Sequence, residues 1–426
     1  MSEDPRRSTP RTDAVLAEPG VAAAVGRLGR GRVKAVVVAV LEDCRNGALA
    51  PADVVPAVLS RLPAAPTSLR PVINATGIVV HTNLGRAPLS AAAVEAVGVA
   101  AGATDVELDL ATGRRGPRGS GALAALAAAV PGAGGVHVVN NGAAALALVA
   151  CALAQGREVV IARGELVEIG DGFRIPELLE SLGVRLREVG TTNRVRLADY
   201  EAAVGPDTAL VLKVHPSNFR VEGFTSSVPV AELTALGVPV VVDIGSGLLA
   251  PHPRLPDEPD AATVLREGAS LVTSSGDKLL GGPQCGLLLG EAELVQRLRR
   301  HPFARALRVD KLTLAALEAT LTGPPPPVAA ALATRPGELL ARARRIAEAL
   351  GGVAIASEGR VGGGGAPGVP LSSAAVALPP DLAKALRLGD PAVVGHVHDG
   401  RLLLDLLTVP VDLDDVLVEA IRRVMG

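Results

Sequence analysis

The chain has 426 residues, 48% of them hydrophobic and 20% charged, with a formal net charge of −2. At about 150 residues per domain this is room for two or three domains and a large core. A charge so near zero excludes nucleic-acid binding through overall basicity and leaves only a local patch, and four Phe with one Tyr are too few for a base-stacking platform.

Cys44, Cys151 and Cys285 are far apart, odd in number and without a CxxC, which argues against a disulfide framework or a zinc cluster. The apolar stretch near residue 150 stops at Gln155, short of the roughly 20 residues of a membrane span. The opening MSEDPRRSTPRTD is polar and mixed in charge, with no apolar signal core. A cytoplasmic protein with no membrane partner is expected. Lysine is scarce: Lys34, Lys213, Lys278, Lys311 and Lys384 are the only lysines among 42 Lys and Arg. Chemistry that needs an amine able to lose its proton therefore has few candidates.

Along the chain, residues 1–65 read as a small helical domain, with an apolar run from Val33 to Leu41 and Pro51 placed to open a helix. Through Arg70 this segment carries ten Lys/Arg against seven Asp/Glu, and Arg27, Arg30, Arg32 and Lys34 lie close together in it. Such a cluster is either a solvated turn or a phosphate contact. Ser60–Pro71 reads as a linker. From 66 to 322, apolar strand-like runs alternate with helix-like runs: VHVVN, EVVIA, ALVLKVH, VPVVVDIG and SLVTSS. That alternation predicts a large α/β domain with a mostly parallel sheet covered on both faces. The TGPPPP segment at Thr322–Pro327 marks a second break. Residues 323–426 read as a small α+β domain: an Ala/Arg-rich helix, a glycine tract at Gly362–Gly365, a strand in RLLLDLLTV, and a closing amphipathic helix over Asp412–Met425.

Three places carry chemistry. In VHVVNNGAAALAL a strand ends at Asn140–Asn141 and a small-residue helix follows, so that backbone N–H groups around Asn141, Gly142 and Ala143 converge as a phosphate site would need. Asp243 ends the apolar strand of VPVVVDIGSG, where open α/β sheets bind ligands. A carboxylate there needs a cation opposite, and with no second ligand at metal spacing a pyridinium nitrogen suits it better. Lys278, in SLVTSSGDKLLGGPQCG, follows a strand and a Ser-Ser-Gly turn, a setting for an amine that forms a Schiff base with an aldehyde. Phosphate turn, ring-nitrogen carboxylate and Schiff-base lysine, in this order, are the layout of a pyridoxal-phosphate enzyme. The His396-x-His398 pair lacks a third ligand nearby, and no metal is expected.

Longer blocks narrow this. RPVINATGIVVHTNLGRAPLS (Arg70–Ser90), RGELVEIGDGFRIPE (Arg163–Glu177), VGTTNRVRLADYE (Val189–Glu201), HPSNFRVEGFT (His215–Thr225), SGDKLLGGPQ (Ser275–Gln284) and ALRVDKLTLAALEATL (Ala306–Leu321) resemble the bacterial selenocysteine synthase family, the L-seryl-tRNA(Sec) selenium transferases. The resemblance implies a fold type I, aminotransferase-like large domain with a helical N-terminal tRNA-recognition domain and an α+β C-terminal domain. It implies pyridoxal 5'-phosphate bound covalently by Lys278, with Asp277 beside it and Asp243, Asn141, Gly142, Ala143, Ser217 and Ser275 around the cofactor. Arg86, Arg305 and Arg308 fall where the family binds an oxyanion, taken to be selenophosphate, and Thr191 and Thr192 where its dimers meet in a ring of five. The implied partners are seryl-tRNA(Sec), selenophosphate and further copies of the chain. This chain departs from the family in reading Gly142 where Asn is common, Gly121 where His is usual, and GHVHDG and DLLTV in place of GR-x-x-DG and DLRTV. The competing readings are a β-eliminating lyase or ammonia-lyase on a free small substrate, and a catalytically silent tRNA-binding protein.

Overall fold

The computed structural model describes residues 8–170 and 172–426. The first seven residues of the expected N-terminal domain, and Asp171 of the Arg163–Glu177 block, lie outside the description. The chain separates into two compact units, Met1–Pro71 and Val72–Gly426.

The N-terminal unit is helical: Thr12–Ala17, Pro19–Leu28, Arg30–Arg45 and Val54–Arg61. On the third helix Val33, Val37, Val40, Leu41 and Cys44 are buried, spaced as one helical face. They pack with Val15, Val21, Ala24, Leu28, Val54 and Val58 into a core of their own. Pro51 opens a short 3-10 turn, Pro51–Asp53, ahead of the last helix. Two of the four clustered basic residues are committed inside the unit. Arg27 donates to the carbonyl of Ala64, and Arg32 to that of Pro66 at 2.6 Å, holding the linker to the helices. Arg30 and Lys34 stay exposed, Arg30 only 3.9 Å from a still more open Asp13.

The larger unit begins with short strands β1 (Val72–Asn74) and β2 (Ile78–Val80), followed by the hairpin β3 (Leu108–Asp109) and β4 (Arg114–Arg115). Then come β5 (Gly135–Val139), β6 (Glu158–Ala162), the hairpin β7 (Glu168–Ile169) and β8 (Phe173–Arg174), β9 (Arg185–Val189), β10 (Thr208–Val214), β11 (Val240–Asp243), β12 (Leu271–Ser275) and β13 (Gly286–Gly290). Seven of these form one sheet in the order β5-β13-β12-β11-β10-β6-β9. Strands β12, β11, β10, β6 and β9 are parallel, and β13 runs antiparallel between β12 and β5. The β-branched runs of β6, β10 and β11 are buried on both faces, as a sheet covered by helices on either side requires. The five expected strands are all present, and β9 and β13 join them.

A second sheet, in the order β17-β18-β15-β14-β2, is built from β14 (Val353–Gly362), β15 (Pro370–Leu378), β17 (His396–His398) and β18 (Arg401–Asp405), while β16 (Ala392–Val394) pairs with β1. The helices Pro336–Leu350 and Asp414–Met425 pack on it. The expected boundary at residue 323 is therefore not a clean cut: β1 and β2, from before the large sheet, complete the C-terminal sheets. Likewise the break before the larger unit falls at the far end of the linker, after Pro71 rather than after residue 65. Among the described residues no helix is long and apolar enough to cross a membrane.

Candidate active site

Asp243, the last residue of β11, sits in register between Val214 on β10 and Thr273 on β12. Its Oδ1 accepts a hydrogen bond from the Thr273 hydroxyl at 2.9 Å. Burial is the largest influence on this carboxyl and pushes its pKa up, while the Thr273 hydroxyl, Lys278 and the Gly245 N–H pull it down. A carboxylate removed from water to this degree is stable as an anion only against a cation.

Lys278 follows β12 through the turn Gly276–Asp277 and is 8% exposed. Desolvation lowers its pKa from the ordinary lysine value, against the opposing pull of Asp243 and Asp277. A lysine so depressed holds more free amine at neutral pH, the condition for attack on an aldehyde. The glycine tract after β14 closes on it: a Cβ built on Gly364, at φ +80°, would stand 2.5 Å from Nζ.

Beside it, Asp277 is buried, with Oδ2 2.6 Å from Arg86 Nη1 and Oδ1 buried without a partner. Arg86 has φ +67°, one of three non-glycine residues in that region among those described. The Ala87 N–H donates to the Asp277 carbonyl at 3.2 Å, which ties this turn to the lysine's own. Strain of this kind persists where surrounding contacts over-determine it.

At the end of β5, Asn141 caps the helix Gly142–Val149, its Oδ1 accepting from the Ala144 N–H at 2.7 Å. Its side chain is thus engaged by the helix, and the donors left for a ligand are the first-turn N–H groups of Gly142 and Ala143. A Cβ at Gly142 would lie 2.5 Å from Ser275 Oγ, so the bare glycine lets the turn close onto β12. Ser275 and Ser217 are both buried.

Arg305 and Arg308 are placed differently. Leu307 accepts from the Asn140 N–H at 3.0 Å and Arg308 bridges Val139, so this segment runs beside the phosphate turn. Arg305 is exposed, and the Arg308 guanidinium faces Glu107 at 3.9 Å, a carboxylate that also holds Arg115 and Arg118. Among the described residues no hydrogen bond or ion pair joins either to Arg86. Thr191 and Thr192 are exposed. His396 and His398 lie on β17, and no group of three or more His, Cys, Asp or Glu able to hold a metal is found among the described residues.

Three groups around Lys278 were not singled out from the sequence. Thr273 bonds Asp243, Gly364 covers Nζ, and Glu258 links His215 to Ala366. The glycine tract and the HPSNFR block were visible as unusual runs, but nothing local says that they meet at this lysine.

A family model described as L-seryl-tRNA selenium transferase matches residues 72–410, and one described as selenocysteine synthase N terminal matches residues 6–45. The L-seryl-tRNA(Sec) selenium transferase of Moorella thermoacetica is 45% identical, over 95% of this chain and 93% of its own. The chain belongs to the L-seryl-tRNA selenium transferase family. Another member, from Hyphomonas neptunium, is 42% identical over 98% of both chains. Among solved structures, D-glucosaminate-6-phosphate ammonia-lyase matches with a TM-score of 0.59 at 21% identity, covering 84% of this chain and 96% of its own. That likeness is one of fold, and it places the larger unit among the fold type I architectures, as the blocks led us to expect. Membership in the transferase family makes the chain an enzyme.

Proposed function

We propose that this chain converts seryl-tRNA(Sec) to selenocysteinyl-tRNA(Sec) with pyridoxal phosphate, taking selenium from selenophosphate. The observation that carries the reading is the depressed amine of Lys278 facing buried Asp243 at the strand ends, within a chain that matches the selenium transferases end to end. The three features suit the three ends of the cofactor. First-turn N–H groups of Gly142 and Ala143 would hold the phosphate, Asp243 the protonated ring nitrogen, and Lys278 the aldehyde. When bound, pyridoxal phosphate supplies the sink for the electron pair left at the α-carbon.

The chain's own residues do the rest. Lys278 Nζ would hold the cofactor through its aldehyde and, once free, would be the base placed to take the α-proton of the seryl group. Asp243 keeps a proton on the ring nitrogen, and Thr273 fixes the orientation of its carboxylate. Overall, the α-proton and the β-hydroxyl would leave as water, selenium would add at the β-carbon while the α-carbon regains a proton, and water would take the donor's phosphoryl group as the selenium–phosphorus bond breaks, releasing phosphate. Asp277, next to Lys278, holds Arg86, and Arg86, Arg305 and Arg308 would bind the oxyanion of selenophosphate. Because the serine is esterified, no arginine is needed for a free carboxylate. Residues 1–65 recognise the tRNA, and copies of the chain assemble through dimers into a ring in the cytoplasm, Thr191 and Thr192 lying at the contacts.

The test is to incubate the pure protein with seryl-tRNA(Sec) and selenophosphate and to identify the amino acid left on the tRNA, with free serine as a parallel substrate. Selenocysteine on the tRNA and inert free serine are expected. Turnover of free serine with an unchanged seryl-tRNA would establish the small-substrate lyase instead.

A further inference from the structure

Glu258 lies in the loop before the helix Ala261–Arg266, and its side chain is 1% exposed. A carboxylate so deeply buried is costly unless its oxygens are engaged, and here one oxygen carries everything. Oε2 accepts from the Ala366 N–H at 2.6 Å and lies 3.2 Å from His215 Nε2, whereas Oε1 is buried without a partner. The two groups it joins come from two separate segments near Lys278 and Asp243. Ala366, at φ +44°, directly follows the Gly362–Gly365 tract, in which Gly364 leaves no room for a Cβ beside Lys278 Nζ. His215 follows β10, and its N–H donates to the Asp243 carbonyl at 2.9 Å. An alanine in the left-handed region does not hold that conformation unaided, and Glu258 is the side chain bonded to its N–H.

We propose that Glu258 is a positioning residue, which pins the glycine tract against Lys278 and fixes the His215 imidazole beside Asp243 through a single carboxylate oxygen. The negative charge so placed also favours the protonated form of Lys278, and its removal would be felt at the amine. The geometry stands on its own; its consequence for the cofactor rests on Lys278 being the residue that holds it.

The experiment compares Glu258→Ala and Glu258→Gln in the full chain. Glutamine keeps an acceptor oxygen for Ala366 and loses the charge; alanine loses both. Hydrogen exchange over residues 362–369 should rise at least about tenfold in Glu258→Ala, with the β14–β15 ladder unchanged, and should return near the wild-type rate in Glu258→Gln. Added pyridoxal phosphate should give the visible absorbance of a lysine imine with about tenfold weaker affinity in Glu258→Ala. Unchanged exchange in 362–369, or an equal rise across the whole unit in both variants, would overturn the proposal, leaving Glu258 an ordinary core carboxylate. Failure of the wild-type protein to form the imine would overturn the reading of Lys278 and leave the exchange measurement to decide on Glu258.

Discussion

Lys278 and Asp243 set each other's ionisation. Burial disfavours charge on both, and each one's charge partly restores the other's. For the lysine, burial wins and the pKa falls below the ordinary 10.5. The protonated, unreactive form is therefore lost at lower pH than in an exposed lysine. The rate at which the cofactor-free protein captures pyridoxal phosphate should stay high below pH 10.5 and decline only as pH drops through the depressed value. A decline centred near 10.5 would mean that the amine titrates as though in water. The arginines divide in a way the sequence does not show: Arg86 is bound to Asp277, while Arg305 and Arg308 lie beside the phosphate turn, Arg308 facing Glu107. If these two hold the selenium donor, Arg305→Ala and Arg308→Ala should eliminate water from seryl-tRNA normally. Each should lose more than about tenfold in donor affinity, measured by following dehydration and selenium transfer separately. Equal loss in both half-reactions would place them on the tRNA or in the fold.

The elements of the large sheet were legible wherever apolar β-branched runs end in turn residues, as β6, β10, β11 and β12 do. Strand β9, RLREV, was not: it is an edge strand whose polar residues face out, so its period is masked. Nor was β13, a five-residue GLLLG run directly after the lysine turn, too short for periodicity to separate strand from helix. The placement of β1 and β2 in the C-terminal sheets depends on pairing across some 280 residues and more, beyond any local signal. One buried group lies at that crossing. Asp405, fully buried at the end of β18, accepts from the hydroxyls of Ser357 and Ser373, each at 2.6 Å, and from the Leu407 N–H at 2.9 Å, while its own N–H donates to Ala75 ahead of β2. Asp405→Ala strands three donors and should cost about 3 kcal/mol, read from the midpoint of urea unfolding. A loss under about 1 kcal/mol would show that the sheet holds without this knot.

At the scale of the whole chain, a helical unit with its own core accompanies a catalytic unit in which the lysine, its carboxylates and the glycine tract converge. The basic cluster of the helical unit is sorted by the structure, since Arg27 and Arg32 serve the linker's carbonyls while Arg30 and Lys34 face solvent. If the exposed pair contacts tRNA phosphates, Arg30→Ala and Lys34→Ala should each lower affinity for seryl-tRNA and reduce the salt dependence of binding by about one unit of slope. Unaltered affinity and slope would move recognition to another surface. In the proposed reaction the amine of Lys278 gives way to the amine of a serine carried on tRNA. Borohydride reduction tests this most directly, applied to the cofactor-loaded protein alone and then with seryl-tRNA(Sec) present. A pyridoxyl group is expected on the peptide containing Lys278 in the first case, and on the seryl amine in the second. Labelling of Lys213 or Lys311, or a label on Lys278 that seryl-tRNA does not displace, would contradict it.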